Sequence, residues 1–293
     1  MRQAIGWCAA AVLLLFSRCA MQSASDAAQV FVQGVLPALF PLMVLSRMLP
    51  GVSAAARPSR RDEAAAGLFA LLAGSPASAQ RVRQLWDAGL SPGRTQRLLA
   101  LTGVMSPMFF AGTLAGWTDQ PAACWLMLAA HWLGAAASAW LWGRGRRAAE
   151  SAQARPSQPV CRCTLPEAIL QSAQAMLAVC GAMMLFSIAA GVGREILGRL
   201  FPGLLSEKAF AVLWALLEIG GGARAVLQAW QEPPFALLAG LCSFGGMSLW
   251  MQNLLFAGKC IRPVKLLAMR ALHGAMGYGI CQAFLKIQNL LIT

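Results

Sequence analysis

Leu216-Leu217-Glu218-Ile219-Gly220-Gly221-Gly222-Ala223-Arg224-Ala225-Val226-Leu227 sets a carboxylate and three consecutive glycines inside an apolar run. Of the eleven acidic residues in the chain, Glu218 alone lies in such a run. An ionisable side chain in hydrocarbon costs roughly 2.5 kcal/mol or more and survives where it faces a partner or a wet cavity. Glycine triplets are poor helix formers, and irregular backbone at membrane depth is tolerated only where protein or water covers it. The stretch predicts a broken helix or hairpin tip, with Glu218 as a functional residue.

Working outward, the 293 residues are 58% hydrophobic and 12% charged, with a mean hydropathy of +0.59. A soluble domain carries about twice that charged fraction, so the chain reads as an all-α polytopic membrane protein. The net charge of +13 would suggest nucleic acid in a soluble protein. Here the basic residues cluster between apolar spans, which topology explains, and nucleic acid is not an expected partner. The nine cysteines include no C-x-x-C pair and mostly sit in apolar runs, so no disulfide framework is implied. Cys161-Arg162-Cys163 offers two thiolates without a histidine pair, too few for a closed zinc site. No metal or other cofactor is expected.

The apolar segments predict a first helix over residues 5–21, either a signal-like core or a retained span, with the latter favoured. Further segments cover 30–49, 64–79, 98–117, 122–142, 172–193, 209–230, 234–256 and 265–285. Residues 22–142 form a first half, 143–166 a basic linker and 167–293 a second half. If every segment crossed the membrane, basic residues would divide almost equally between the two faces, against the usual cytoplasmic excess. Letting 64–97 and the Glu218 stretch each enter and leave by one face puts eighteen Lys and Arg on the cytoplasmic side and six outside. The expected topology is seven crossings with two re-entrant hairpins, and the linker cytoplasmic. Arg81 to Trp86, after the first tip, echoes Arg224 to Gln228 and Trp230 after the second, an inverted repeat. A rival alignment matches Phe69–Gly74 with the identical Phe235–Gly240, which makes the repeat parallel.

The ordered set Leu39-Phe40-Pro41-Leu42-Met43-Val44-Leu45-Ser46, Gly74-Ser75-Pro76-Ala77-Ser78-Ala79 and Ser106-Pro107-Met108-Phe109-Phe110-Ala111-Gly112 resembles the YlbJ-type sporulation integral membrane proteins. In the second half, Leu216 to Ile219 and Phe244-Gly245-Gly246-Met247-Ser248 through Gln252 continue the match. These proteins belong to the group carrying the nucleoside-recognition or Gate domain, and the similarity covers about residues 30 to 285. The resemblance implies a Gate-like fold of two inverted halves in a spore-former's cell membrane, and a transport role. The chain departs from the pattern at Ser75, at Ala77-Ser78 and at Thr102-Gly103, which weakens the case for a nucleoside-like solute.

On this reading a small polar solute sits between the tips. The candidate residues are Ser75, Ser78 and Ser106 from one half, and Glu218, Gly220, Gly221, Ser243, Gly245, Gly246, Ser248 and Gln252 from the other. Broken-helix ends supply backbone partial charges for the solute or a coupling cation. Expected partners are the lipid bilayer, that solute and that cation, with self-association left open. Three alternatives compete. Small and hydroxyl residues serve equally as close-packing contacts, worth about 0.6 kcal/mol each as interhelical glue. Ser248 and His273 are a serine and a histidine without a secured oxyanion hole, so an enzyme is not expected. A non-transporting scaffold of the spore envelope would keep the fold and lose the polar midplane.

Overall fold

The computed structural model describes residues 2–48, 58–144 and 163–292. Most of the basic linker, with Cys161 and Arg162, and the Arg57 region lie outside the described residues. The described chain is helical and contains four helical stretches long and apolar enough to cross a membrane: Ser17–Met48, Pro121–Trp142, Leu165–Leu200 and Phe235–Cys260.

Helix α1 (Arg2–Leu15) is followed by α2 (Ser17–Val30), a π-helical turn (Phe31–Val35) and α3 (Leu36–Met48). The helix break falls at Phe16, so residues 22–29, expected to separate two spans, are helical. Their Ser, Ala, Gln and Asp residues include no glycine or proline to interrupt the ladder. The stretch 17–48 packs antiparallel along α9 (Leu165–Leu200). Ser23 lies against Gly191 at one end, and at the other Arg47 Nη1 donates to Gln171 Oε1 at 2.6 Å. The two ends of α9 therefore define the two ends of the molecule, and the linker lies at the Leu165 end.

Two hairpins enter from opposite ends. The first is α4 (Arg60–Ala73) and α5 (Ala77–Asp87), joined at Gly74-Ser75-Pro76 with a cis Ser75–Pro76 bond. Its mouth is at the linker end. There Ser59 caps α4, its amide and hydroxyl donating to Asp62 Oδ2 at 2.7 Å, which holds the Asp62 carboxyl below the usual carboxylate range. Glu63 also pairs with Arg94 at the start of α6 (Pro92–Thr102). The second hairpin is α10 (Glu207–Leu217) and α11 (Ile219–Ala229). Its mouth is at the far end, where Glu207 pairs with Arg194 near the end of α9 at 2.5 Å.

A broken helix follows each hairpin. After α6 the chain unwinds over residues 103–106, then resumes as a π-helical stretch (Phe109–Leu114) and α7 (Ala115–Thr118) before α8 (Pro121–Arg144). After α11, α12 (Phe235–Phe244) stops at Gly245 (φ 83°) and α13 (Gly246–Ala257) carries on, before α14 (Pro263–Ile292). Phe69–Gly74 ends at the first tip, whereas the identical Phe235–Gly240 begins α12, with Gly240 packed against Gly274 and Tyr278. One hexapeptide thus serves two environments.

The break in the second hairpin lies at Glu218 itself (φ −139°, ψ 115°), one residue ahead of Ile219 and the glycine triplet. Gly220, Gly221 and Gly222 are helical, in the first turn of α11. Their smallness is used for approach: a Cβ on Gly222 would overlap the backbone of Ala215 on α10. At the other tip Gly74 has φ 70°, and a Cβ there would lie 2.5 Å from the Ser106 amide nitrogen. A left-handed φ costs a side chain roughly 1–3 kcal/mol before any overlap. Gly74→Ala and Gly222→Ala are expected to lower the thermal unfolding midpoint of the detergent-purified protein, whereas Gly112→Ala, where a Cβ meets nothing, leaves it nearly unchanged.

Candidate functional site

The tips and breaks pack on one another. A Cβ on Gly246 would lie 3.0 Å from the Ala215 carbonyl oxygen and 3.2 Å from the Ile219 nitrogen, so the α12/α13 break rests on the second tip. Gly74 rests on the α6 break in the same manner. The halves meet where Ser75 Oγ donates to Asn253 Oδ1 of α13.

Between these elements lies a cavity of about 50 Å³, measured by the centres of water-sized spheres. A single water needs roughly 10–15 Å³ on that measure, so several fit. Six of the eleven candidate residues line it: Ser75, Ser106, Glu218, Gly220, Ser248 and Gln252. The other five do not. Gly221 faces a neighbouring cavity, Gly245 and Gly246 shape the break, Ser78 is buried in the first turn of α5, and Ser243 lies behind the break. The rest of the wall is apolar, with Met105, Phe109, Val179 and Met183 among its residues, and Gly34, Val35, Ala38 and Leu39 join it from the π-helical turn, which no sequence signal marked.

Glu218 is 1% exposed and is the cavity's one ionisable residue. Its two oxygens accept from the amides of Gly220 (2.8 Å) and Gly221 (2.6 Å), so it caps α11 and meets that helix's positive end. No ion pair joins it to Arg224 among the described residues; Arg224 is exposed and lines the neighbouring cavity with Gly221. The carboxylate's remaining lone pairs suit a solute with N–H or O–H donors, or a small cation.

Behind the cavity a buried polar chain holds the unwound segment. The Met105 amide donates to His131 Nε2 (3.0 Å), so His131 carries its proton on Nδ1 and donates to Ser243 Oγ at 2.8 Å. Ser75 N donates to the Val104 carbonyl at 2.7 Å. His273 Nε2 donates to the His131 carbonyl at 2.9 Å, the backbone partner expected of a histidine on an apolar helix. Among the described residues no hydrogen bond joins Ser248 to His273. Arg270, 1% exposed, donates from Nη2 to the Leu99 carbonyl (3.2 Å) at the C-terminal end of α6, where the helix dipole favours a cation. Its guanidinium fills the space a Gly103 side chain would take. Arg270 is therefore a buried charge within α14 and not the loop charge that the expected topology counted. A basic residue eight positions into an apolar helix was the available signal. Gln252 and Asn253, two turns into α13, are 3% and 2% exposed.

No family model, curated protein or solved structure matches the chain.

Removing the His131 ring strands the Met105 amide and the Ser243 hydroxyl. Leaving a buried donor unpaired costs about 1–3 kcal/mol. His131→Leu is expected to unfold at a lower temperature than Ser243→Ala, which strands only the His131 Nδ1 proton; equal midpoints would mean that the Met105 contact contributes nothing.

Proposed function

We propose that this chain is a membrane transporter for a small polar solute, with the Glu218 cavity as its solute site. The observation that carries the reading is that side chains from both hairpins and both broken helices converge on one cavity, largely apolar, whose described lining holds a single carboxylate. Discontinuous helices meeting at such a point are the pattern of secondary transporters. On this reading the 60–87 and 207–229 hairpins are re-entrant, and their opposite directions of entry support two inverted Gate-like halves. The resemblance to the YlbJ-type sporulation proteins supports a place in the cell membrane of a spore-forming bacterium, with the 143–166 linker cytoplasmic, and keeps a nucleoside-like solute among the substrates to test. Glu218 takes the solute's donors or the coupling cation.

Single cysteines in a cysteine-free background test this. Ser106→Cys and Ser248→Cys, on the cavity, should react with a small membrane-impermeant thiol reagent, and Glu218→Gln should change the rate. Ser78→Cys and Ser243→Cys, buried off the cavity, should not react. If no cavity position reacts while an exposed control does, the core is dry and a scaffold of the spore envelope is the better account.

A further inference from the structure

Gln22, Asp26, Gln29 and Gln33 recur at spacings of four, three and four, which places them on one face of the helix running from Ser17 to Met48. All four are exposed, although the stretch is a candidate membrane span. Polar side chains there need water or polar partners. The cavities beside this face supply the space. The outermost, about 480 Å³, touches Gln22; the next, about 350 Å³, touches Asp26 and Gln29; the third, about 380 Å³, touches Gln33.

Successive cavities share lining residues. Trp214 lines the first and second, Val30 and Arg224 the second and third, and Gly34 and Ala38 both the third and the Glu218 cavity. The outermost also touches Gly191 to Arg199, at the far end of α9 from the linker.

We infer that the Gln22–Asp26–Gln29–Gln33 face is the wall of a hydrated groove that admits a small neutral or zwitterionic solute to the Glu218 cavity from the end opposite the basic linker. The inference rests on reading that cavity as a solute site. The charges select the class. At the mouth, Arg194 pairs with Glu207 (2.5 Å) and Arg199 with Glu195 (2.7 Å), so their fields cancel. Midway, Asp26, which accepts from Gln22 Nε2 at 2.8 Å, and Arg224 line one cavity with no ion pair between them among the described residues, presenting one charge of each sign to a passing solute. The other groups along the stripe are carboxamides, which donate and accept alike. A solute of net charge gains on one wall and loses on the other, whereas a neutral or zwitterionic one is matched on both.

The test uses the full chain without native cysteines, reconstituted in one orientation, and methanethiosulfonate reagents of similar size carrying positive or negative charge. Added on the side opposite the linker, both reagents should modify Gln29→Cys and Gln33→Cys at similar rates. Met21→Cys and Val32→Cys, on the same helix but off the stripe, and 72% and 58% exposed, should show loss of labelling. Gly34→Leu, at the last junction, should abolish labelling of Ser106→Cys from this side and spare Gln33→Cys. Equal labelling on and off the stripe overturns the groove, and a strong preference for one reagent charge overturns the solute class. Labelling of Ser106→Cys from the linker side alone, with Gln33→Cys silent, overturns the groove while leaving the cavity reading intact. A silent Ser106→Cys from both sides, with Gln33→Cys labelled, removes the cavity reading and with it the destination of the groove.

Discussion

Four places where helices stop inside the packed core set a single requirement: every amide and carbonyl freed there must find a partner away from bulk water. At the second break the Gly245 amide closes back on the Leu241 carbonyl, and other groups meet the requirement at the remaining three. Glu218 takes two amides at the start of α11, Arg270 takes a carbonyl at the end of α6, His131 takes the Met105 amide, and the first tip gives its Ser75 amide to Val104. Glycine allows the close approach at each junction. The hairpins and breaks are therefore mutually dependent, and the cavity is the space left where they meet.

That dependence explains which parts of the design were legible in the sequence. A carboxylate and glycines in an apolar run, and Gly-Ser-Pro or Ser-Pro within another, mark helix interruptions by local backbone chemistry, so both hairpins and both breaks could be placed. Ser75, Ser106, Ser248 and Gln252 followed because they flank those interruptions. What could not be read was pairing at long range. Nothing near His131 in the chain points to Met105 or Ser243, and the position of Arg270, eight residues into an apolar helix, marks it as unusual without naming the Leu99 carbonyl that α6 brings to it. Ser78 and Ser243 show the converse: they sit beside interruptions in sequence, yet helix rotation turns them away from the cavity. The 22–29 region misled because its polar residues suggest a loop, whereas its lack of breakers keeps it helical and its polarity is confined to one face.

The proposed transport reading gives these contacts a second use. A carboxylate that caps a helix is held in one place without a countercharge, so a donor-bearing solute or cation meets it ready-oriented. Since the cap, the first tip and Asn253 come from different halves, movement of one half against the other would alter the cavity's polar lining. In this account the buried His131 and Arg270 contacts keep the unwound 103–106 segment in register during such movement, and the cavity's apolar share, from Val35, Leu39, Met105 and Phe109, keeps it narrow.

The contact between the first tip and α13 is where this account is most exposed. Cysteines introduced together at Ser75 and Asn253, in a chain without its native cysteines, should form a disulfide on mild oxidation, seen as loss of both free thiols. Replacing Ser75 by Ser78 in the pair should abolish it. If the 75–253 pair stays reduced under conditions that oxidise other close pairs, the first tip does not reach the second half, and the convergence on which the cavity depends is wrong.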